Sequence, residues 1–401
     1  MATNVNVAPI HPLQREFEGK REDLGKDFSC RGPNVPWYRE VRMRVDVRTM
    51  RRGSSLALLS FRLFVLVLLA GVAASAGSPS QLPVFTPMPG VAPEGVAVDK
   101  SGTVYVSVRE GGLGSIWRLV PGGTVSWLAD VGLGEIGGLA VTPDGTLYVA
   151  VANGPDQGIH RLGRDGGIER LDGSDRVLFA NALAFDHRGA LYVSESSSID
   201  GSGQYGQGGI WRIARGGDPE VWLRHDLLTG IGAVLGYPVG ANGIACYHGD
   251  LYVANTDKGL VVRVPILVDG SPGQPEVWAT LEEVEGSPLA GSGFPLMGDG
   301  LALDVHGNVY VAVVSRSAVV RIDAADRVQD TVAMLAFAPD PPAPAAPFDT
   351  PASLAFGTGK GARKDLFVTN LGWMEILVPG PPWPGPGLVQ LAAGAPGLPL
   401  P

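Results

Sequence analysis

The chain of 401 residues is 45% hydrophobic and only 18% charged, with 57 Gly and 33 Pro, a balance that suits a large, turn-rich globular protein better than a chain disordered throughout. Residues 1–76 hold 12 of its 31 Lys+Arg and 7 of its 40 Asp+Glu, so the formal net charge of −9 becomes about −14 for the remainder. That charge, with no basic patch, argues against a nucleic-acid partner.

From the N-terminus, residues 1–49 are polar and aperiodic and read as an upstream extension or a disordered segment, with Met43 or Met50 as alternative starts. An arginine-rich stretch from Arg42 to Arg52 precedes the apolar run Leu63–Ala74 and the small residues Ala74-Ser75-Ala76. The run is short for a membrane span of roughly 20 residues, and the whole of 50–76 has the layout of a secretory signal peptide. An uncleaved anchor is the alternative, and the only membrane contact expected. Export to the periplasm or outside the cell follows from the signal reading. Loss of Cys30 with this segment leaves Cys246 alone, so no intramolecular disulfide is expected.

From residue 77 onward the chain is built of short β-branched runs broken by Gly, Asp and Pro. One hairpin recurs: "PEGVAVDKSGTVYVSV" from Pro93, "GGLAVTPDGTLYVAV" from Gly137, "NALAFDHRGALYVSE" from Asn181, "NGIACYHGDLYVAN" from Asn242, "DGLALDVHGNVYVAV" from Asp299 and "ASLAFGTGKGARKDLFVTN" from Ala352. The spacings of 43, 44, 61, 57 and 53 residues match four-stranded propeller blades with some enlarged loops. Third strands ("GSIWRLV", "GIHRL", "GGIWRI", "GLVVRV", "SAVVRI") and fourth strands ("TVSWLADV", "PEVWLRH", "PEVWAT", "DTVAML") follow. The expected fold is all-β, a six-bladed β-propeller over 77–401 with a Pro/Gly-rich C-terminal tail. The N-terminal strand, placed at Pro83–Met88, closes the last blade, which removes the free sheet edge.

The first position of the repeat reads Glu94, Gly137, Asn181, Asn242, Asp299, Ala352. In a propeller these positions converge on the axis. Two carboxylates and two amide carbonyls make a hard-oxygen site for Ca²⁺ or another divalent cation. Asn-Gly and Asp-Gly are also ordinary turn pairs, which is the alternative at any single position. Turn chemistry does not call for Glu94 before Gly95, nor for one shared register in four units.

The column resembles the calcium site of the SMP-30/gluconolactonase family, and more distantly that of diisopropylfluorophosphatase and paraoxonase. The resemblance spans roughly residues 82–380. It implies catalytic Ca²⁺ held by Glu94, Asn181, Asn242 and Asp299, with Asp299 a candidate general base or nucleophile. Sugar-lactone members carry an arginine two residues before the blade-three Asn, where this chain has Phe179. With the apolar loops before Asn242 and Asp299, this points to Phe179 as a substrate contact and to a substrate more apolar than gluconolactone.

The remaining motifs carry less chemistry. His187, His248 and His306 sit at hairpin turns of separate blades, Cys246 aligns with core positions, and the glycine-rich "DGSGQYGQGG" lacks the ending of a phosphate loop. The expectation is an exported, monomeric, calcium-dependent hydrolase of a small lactone or ester. The alternatives are a non-enzymatic propeller binding module with structural calcium, and a strictosidine-synthase-like enzyme.

Overall fold

Alternating apolar residues in short runs can be buried only by stacking sheet on sheet, and the chain does this six times around one axis. The computed structural model describes residues 80–82, 91–163, 166–197, 208–233, 235–335, 345–359, 361–380 and 383–401. The segments expected to form the N-terminal extension and the signal peptide, Pro83–Met88 and most of the glycine-rich stretch lie outside these residues.

Among the described residues are six four-stranded antiparallel sheets, as the repeat predicts. Blade one comprises Val91–Val98, Val104–Glu110, Leu113–Leu119 and Val125–Leu133, and blade two Glu135–Val141, Leu147–Ala152, Gly158–Leu162 and Ile168–Arg170. Blade three is Ala180–Phe185, Leu191–Glu195, Gly209–Ile213 and Pro219–Leu223; blade four is Ala241–Tyr247, Asp250–Asn255, Leu260–Pro265 and Glu276–Thr280. Blade five runs Gly298–Leu303, Val309–Val313, Ala318–Ile322 and Gln329–Met334. Blade six joins Pro351–Phe356, Asp365–Asn370 and Gly387–Ala392 to Ser80–Leu82 from the other end of the chain.

Two details differ from the sequence expectation. The observed closing strand is Ser80–Leu82, just ahead of the expected Pro83–Met88, and it pairs with Leu388–Gln390. The tail also supplies the third strand of blade six, and beyond it bridges Gly397 to Asp304. Leu398 then packs on the core between blades four and five, and Leu400 on the core between blades one and two. This tail therefore crosses beneath the ring.

Apolar cores fill every junction between neighbouring blades, including that between six and one, where Val96, Val98 and Val106 meet Phe367 and Leu388. Three of the hairpin turns share one device. Asp99, Asp186 and Asp304 each accept backbone N–H bonds from residues two and four ahead, and a glycine at φ +79 to +86° completes the turn, an Asx arrangement that suits this side chain. His187 and His306 are exposed beside two of these turns, and His248 is exposed at the turn of blade four. Cys246 packs against the core between blades three and four, and burial pushes its thiol well up, so it is unsuited to nucleophilic work. Among the described residues no helix is long and apolar enough to cross a membrane.

Candidate metal and active site at the leading ends of the innermost strands

The innermost strands of consecutive blades adjoin around the ring. Each breaks register with its hairpin partner at the same place: between Pro93 and Val96, Ile136 and Leu139, Ala180 and Leu183, Ala241 and Ile244, Gly298 and Leu301, and Pro351 and Leu354. Each break is a bulge containing one extra residue, and it falls on the column Glu94, Gly137, Asn181, Asn242, Asp299, Ala352. Bulges bend a strand and re-aim its side chains. Six repeats of the bulge turn one register position into one ring of side chains.

The residue after each column position is small for a reason other than turn formation. A Cβ on Gly95 would lie 2.6 Å from the Gly137 carbonyl oxygen, on Gly243 2.3 Å from that of Asp299, and on Gly300 2.7 Å from that of Ala352. None of these glycines has a positive φ. Close approach of the next blade, and not a turn, is what requires them, which removes the turn-pair alternative for Asn242-Gly243 and Asp299-Gly300.

Asp299 is brought within reach of both Glu94 and Asn242. Burial pushes the Asp299 carboxyl well above its ordinary range, the negative charge of Glu94 pushes it further, and a hydrogen bond from the Asn242 amide draws it partly back. Burial also raises Glu94, to about 7, with Arg109 pulling down and Glu135 pushing up. Asn181 holds the same register of blade three, where its amide nitrogen donates to Ser196 Oγ at 2.9 Å. The Asn242 amide nitrogen donates to Thr256 Oγ1 at 3.0 Å. Each amide nitrogen is thus held by a hydroxyl, that of Asn242 donating to Asp299 as well, and the amide oxygens are the atoms that would serve a cation.

Two carboxylates, Asp299 buried and Glu94 half-buried, that oppose each other's ionisation beside two oriented amides form a donor set that a hard divalent cation satisfies. Among the described residues no three His, Cys, Asp or Glu come together. The set is accordingly half acid and half amide.

Several residues around the site were not singled out in the sequence. Arg109 lies 3.4 Å from Glu135 and 5.7 Å from the centre of the Trp373 ring, while Trp373 packs with Ala92, Leu371 and the column residue Ala352. Phe179 is half-buried, its ring 6.4 Å from that of Tyr237. Three long loops are each tied down by one buried charge. Asp257 accepts N–H bonds from Ile231, Gly232 and Val239 at 2.8–3.0 Å. Arg316, 1% exposed, holds Glu283 and the Phe294 carbonyl. Asp349 accepts from Met374 and Gly385, both at 2.8 Å. The sequence signal was present, because Asp257 and Arg316 stand just beyond the second strands of blades four and five. Polar residues there read simply as loop.

Together these features define a six-bladed propeller with an oxygen-rich site where the innermost strands begin. The family model described as SMP-30/Gluconolactonase/LRE-like region matches residues 180–371, and one described as Strictosidine synthase-like, N-terminal, matches residues 84–118. No match is found among curated proteins. Similar solved structures include a luciferin-regenerating enzyme (18% identity, TM-score 0.56, covering 80% of this chain and 97% of that one). Others are the calcium-binding protein regucalcin from Agrobacterium tumefaciens (19%, 0.53, 81% and 96%) and a gluconolactonase from Xanthomonas campestris (16%, 0.51, 81% and 98%). At these identities the structural likeness bears on fold alone. The chain thus carries, over residues 180–371, a region similar to the SMP-30/gluconolactonase/LRE-like family, on a propeller fold that these solved structures share.

Proposed function

We propose that the chain is an exported, monomeric, calcium-dependent hydrolase of lactones or related esters, acting on a substrate more apolar than gluconolactone. The observation that carries this reading is the ring of bulges, which aligns Glu94, Asn181, Asn242 and Asp299 while leaving Gly137 and Ala352 as small gaps beside them. Glu94, Asn181, Asn242 and Asp299 would hold the cation, and when bound it would supply Lewis acidity to a carbonyl oxygen. Asp299 orients or deprotonates the attacking water, or attacks directly. The Phe179–Tyr237 pair and the exposed Ile231, on the loop leading to Asn242, support the apolar preference. Export rests on the layout of residues 50–76 and on nothing beyond the sequence.

A panel of sugar lactones, alkyl lactones, aryl esters and phosphotriesters, assayed with Ca²⁺ and with chelator, tests the reading. Turnover of lactones that chelation abolishes is the expected result. The match of residues 84–118 to a strictosidine-synthase-like region favours a second reading, a condensing enzyme on the same scaffold. A chain that binds Ca²⁺ yet hydrolyses nothing in the panel would favour that enzyme or a binding module.

A further inference from the structure

Two buried hydroxyls repeat one arrangement on consecutive blades. Ser196 stands 15 residues after Asn181; it accepts from the Asn181 amide nitrogen at 2.9 Å and donates its own proton to the Ala241 carbonyl at 2.8 Å. Thr256 stands 14 residues after Asn242, accepts from its amide nitrogen at 3.0 Å and donates to the Gly298 carbonyl at 2.8 Å. Ser196 is 0% and Thr256 4% exposed. A hydroxyl has one proton, and here it is committed to the next blade. Each hydroxyl can therefore only accept from the amide, and an amide turned end for end would set oxygen against oxygen.

The six equivalent positions are Arg109, Ala152, Ser196, Thr256, Val314 and Leu371. Hydroxyls occur only on the two blades whose column residue is an amide. A carboxylate presents acceptors whichever way it turns, so Asp299 needs no such partner and has Val314. Gly137 and Ala352 have no oxygen to orient, and their blades carry Ala152 and Leu371. Beside Glu94 stands the cationic Arg109, which favours the ionised carboxylate.

We infer that Ser196 and Thr256 are positioning residues for the cation, fixing Asn181 and Asn242 with their oxygens toward it and, through Ala241 and Gly298, coupling that orientation to the backbone of the next blade. The inference rests on the calcium reading above. It is tested by Ca²⁺ calorimetry on the full chain for wild type, Ser196→Ala, Thr256→Val, Ser196→Thr and Thr256→Ser, with the metal-free unfolding midpoint of each. Ser196→Ala and Thr256→Val should weaken Ca²⁺ binding by about 10- to 100-fold, the usual effect of losing a group that orients a ligand. The two hydroxyl-keeping variants should stay within about threefold of wild type on the same scale. Both hydroxyl deletions also strip a buried carbonyl of its donor and should lower the midpoint, so calorimetry is run well below every midpoint. Unchanged affinity in both deletions, or equal loss in the hydroxyl-keeping variants, would overturn the positioning role while the calcium reading stands. A wild-type chain that takes up no Ca²⁺ would overturn the calcium reading itself.

Discussion

Glu94 and Asp299 work against each other's ionisation: after burial itself, the negative charge of Glu94 is the strongest influence holding the Asp299 carboxyl above its ordinary range. They come from blades one and five, some 200 residues apart in sequence, and only closure of the ring brings them together. A fold that aims two carboxylates, one buried and one half-buried, at one place stores repulsion there, and a cation between them relieves it.

The first prediction is the pH dependence of the metal-free protein. Glu94 has its carboxyl raised from 4.5 to about 7 in the folded chain, and Asp299 is raised in the same direction. The folded state therefore holds protons more tightly than the unfolded one. Stability from these groups is fully present below about pH 4.5 and is lost as pH rises through the folded pKa. In chelator, the unfolding midpoint of wild type relative to Glu94→Gln should fall by about 5 °C between pH 5 and pH 8. Saturating Ca²⁺ should abolish that fall. A midpoint difference that does not change with pH would contradict the buried-carboxylate picture.

The Asp299→Asn substitution separates chemistry from binding. It keeps the size and an oxygen donor but removes the base, so turnover should drop by a factor of about 10² to 10⁴. Calorimetry should detect weaker Ca²⁺ binding as well, since one full charge is lost, and assays must be run at saturating metal. Intact turnover in the metal-loaded variant would take Asp299 out of the mechanism.

Much of this was legible in the sequence because the same hairpin is written six times, and the register of Glu94, Asn181, Asn242 and Asp299 survives every change of loop length. The bulges were not legible. They add one residue to the inner strand in all six copies, so aligning the copies with one another opens no gap. The third strand of blade six, Gly387–Ala392, was missed because Pro384, Pro386 and Gly394 surround it and it lacks the Arg-apolar ending, as in Arg118-Leu119, that marks the other third strands. Ser196, Thr256 and Arg109 were missed because a polar residue at a strand end has no periodic signal. Only the partner across the bulge, 14 or 15 residues earlier, gives it meaning.

A third prediction concerns the tail beneath the ring. The Gly397 amide donates to the Arg363 carbonyl at 2.9 Å and the Val305 amide to that of Pro396 at 3.0 Å, while Leu398 and Leu400 are partly buried on different inter-blade cores. Burying a leucine side chain is worth roughly 1.5–3 kcal/mol when complete, and here burial is partial. Deleting residues 395–401 should cost about 2–4 kcal/mol on that scale and lower the unfolding midpoint by about 5 °C. Ca²⁺ affinity should be unaffected, because the tail meets the turn ends of the blades, away from the column. Scanning calorimetry and Ca²⁺ titration of the truncated chain check both halves.

The last prediction addresses substrate choice through Phe179, which stands two residues before Asn181 with its ring tilted 40° against Tyr237. An aromatic wall there offers contact area and no hydrogen bond, so a hydroxyl-rich lactone leaves its polar groups unsatisfied while an alkyl or aryl lactone does not. Phe179→Arg introduces five N–H donors on a planar head. The ratio of kcat/KM for gluconolactone to that for an alkyl lactone should rise at least about tenfold, within the 10- to 200-fold span that one pocket contact commands. Phe179→Leu keeps an apolar surface and should leave the ratio within about threefold of wild type by the same reasoning. A wild-type enzyme that already favours sugar lactones, or a ratio indifferent to both substitutions, would mean that the substrate lies elsewhere and that Phe179 serves only to pack the blade-three loop against Tyr237.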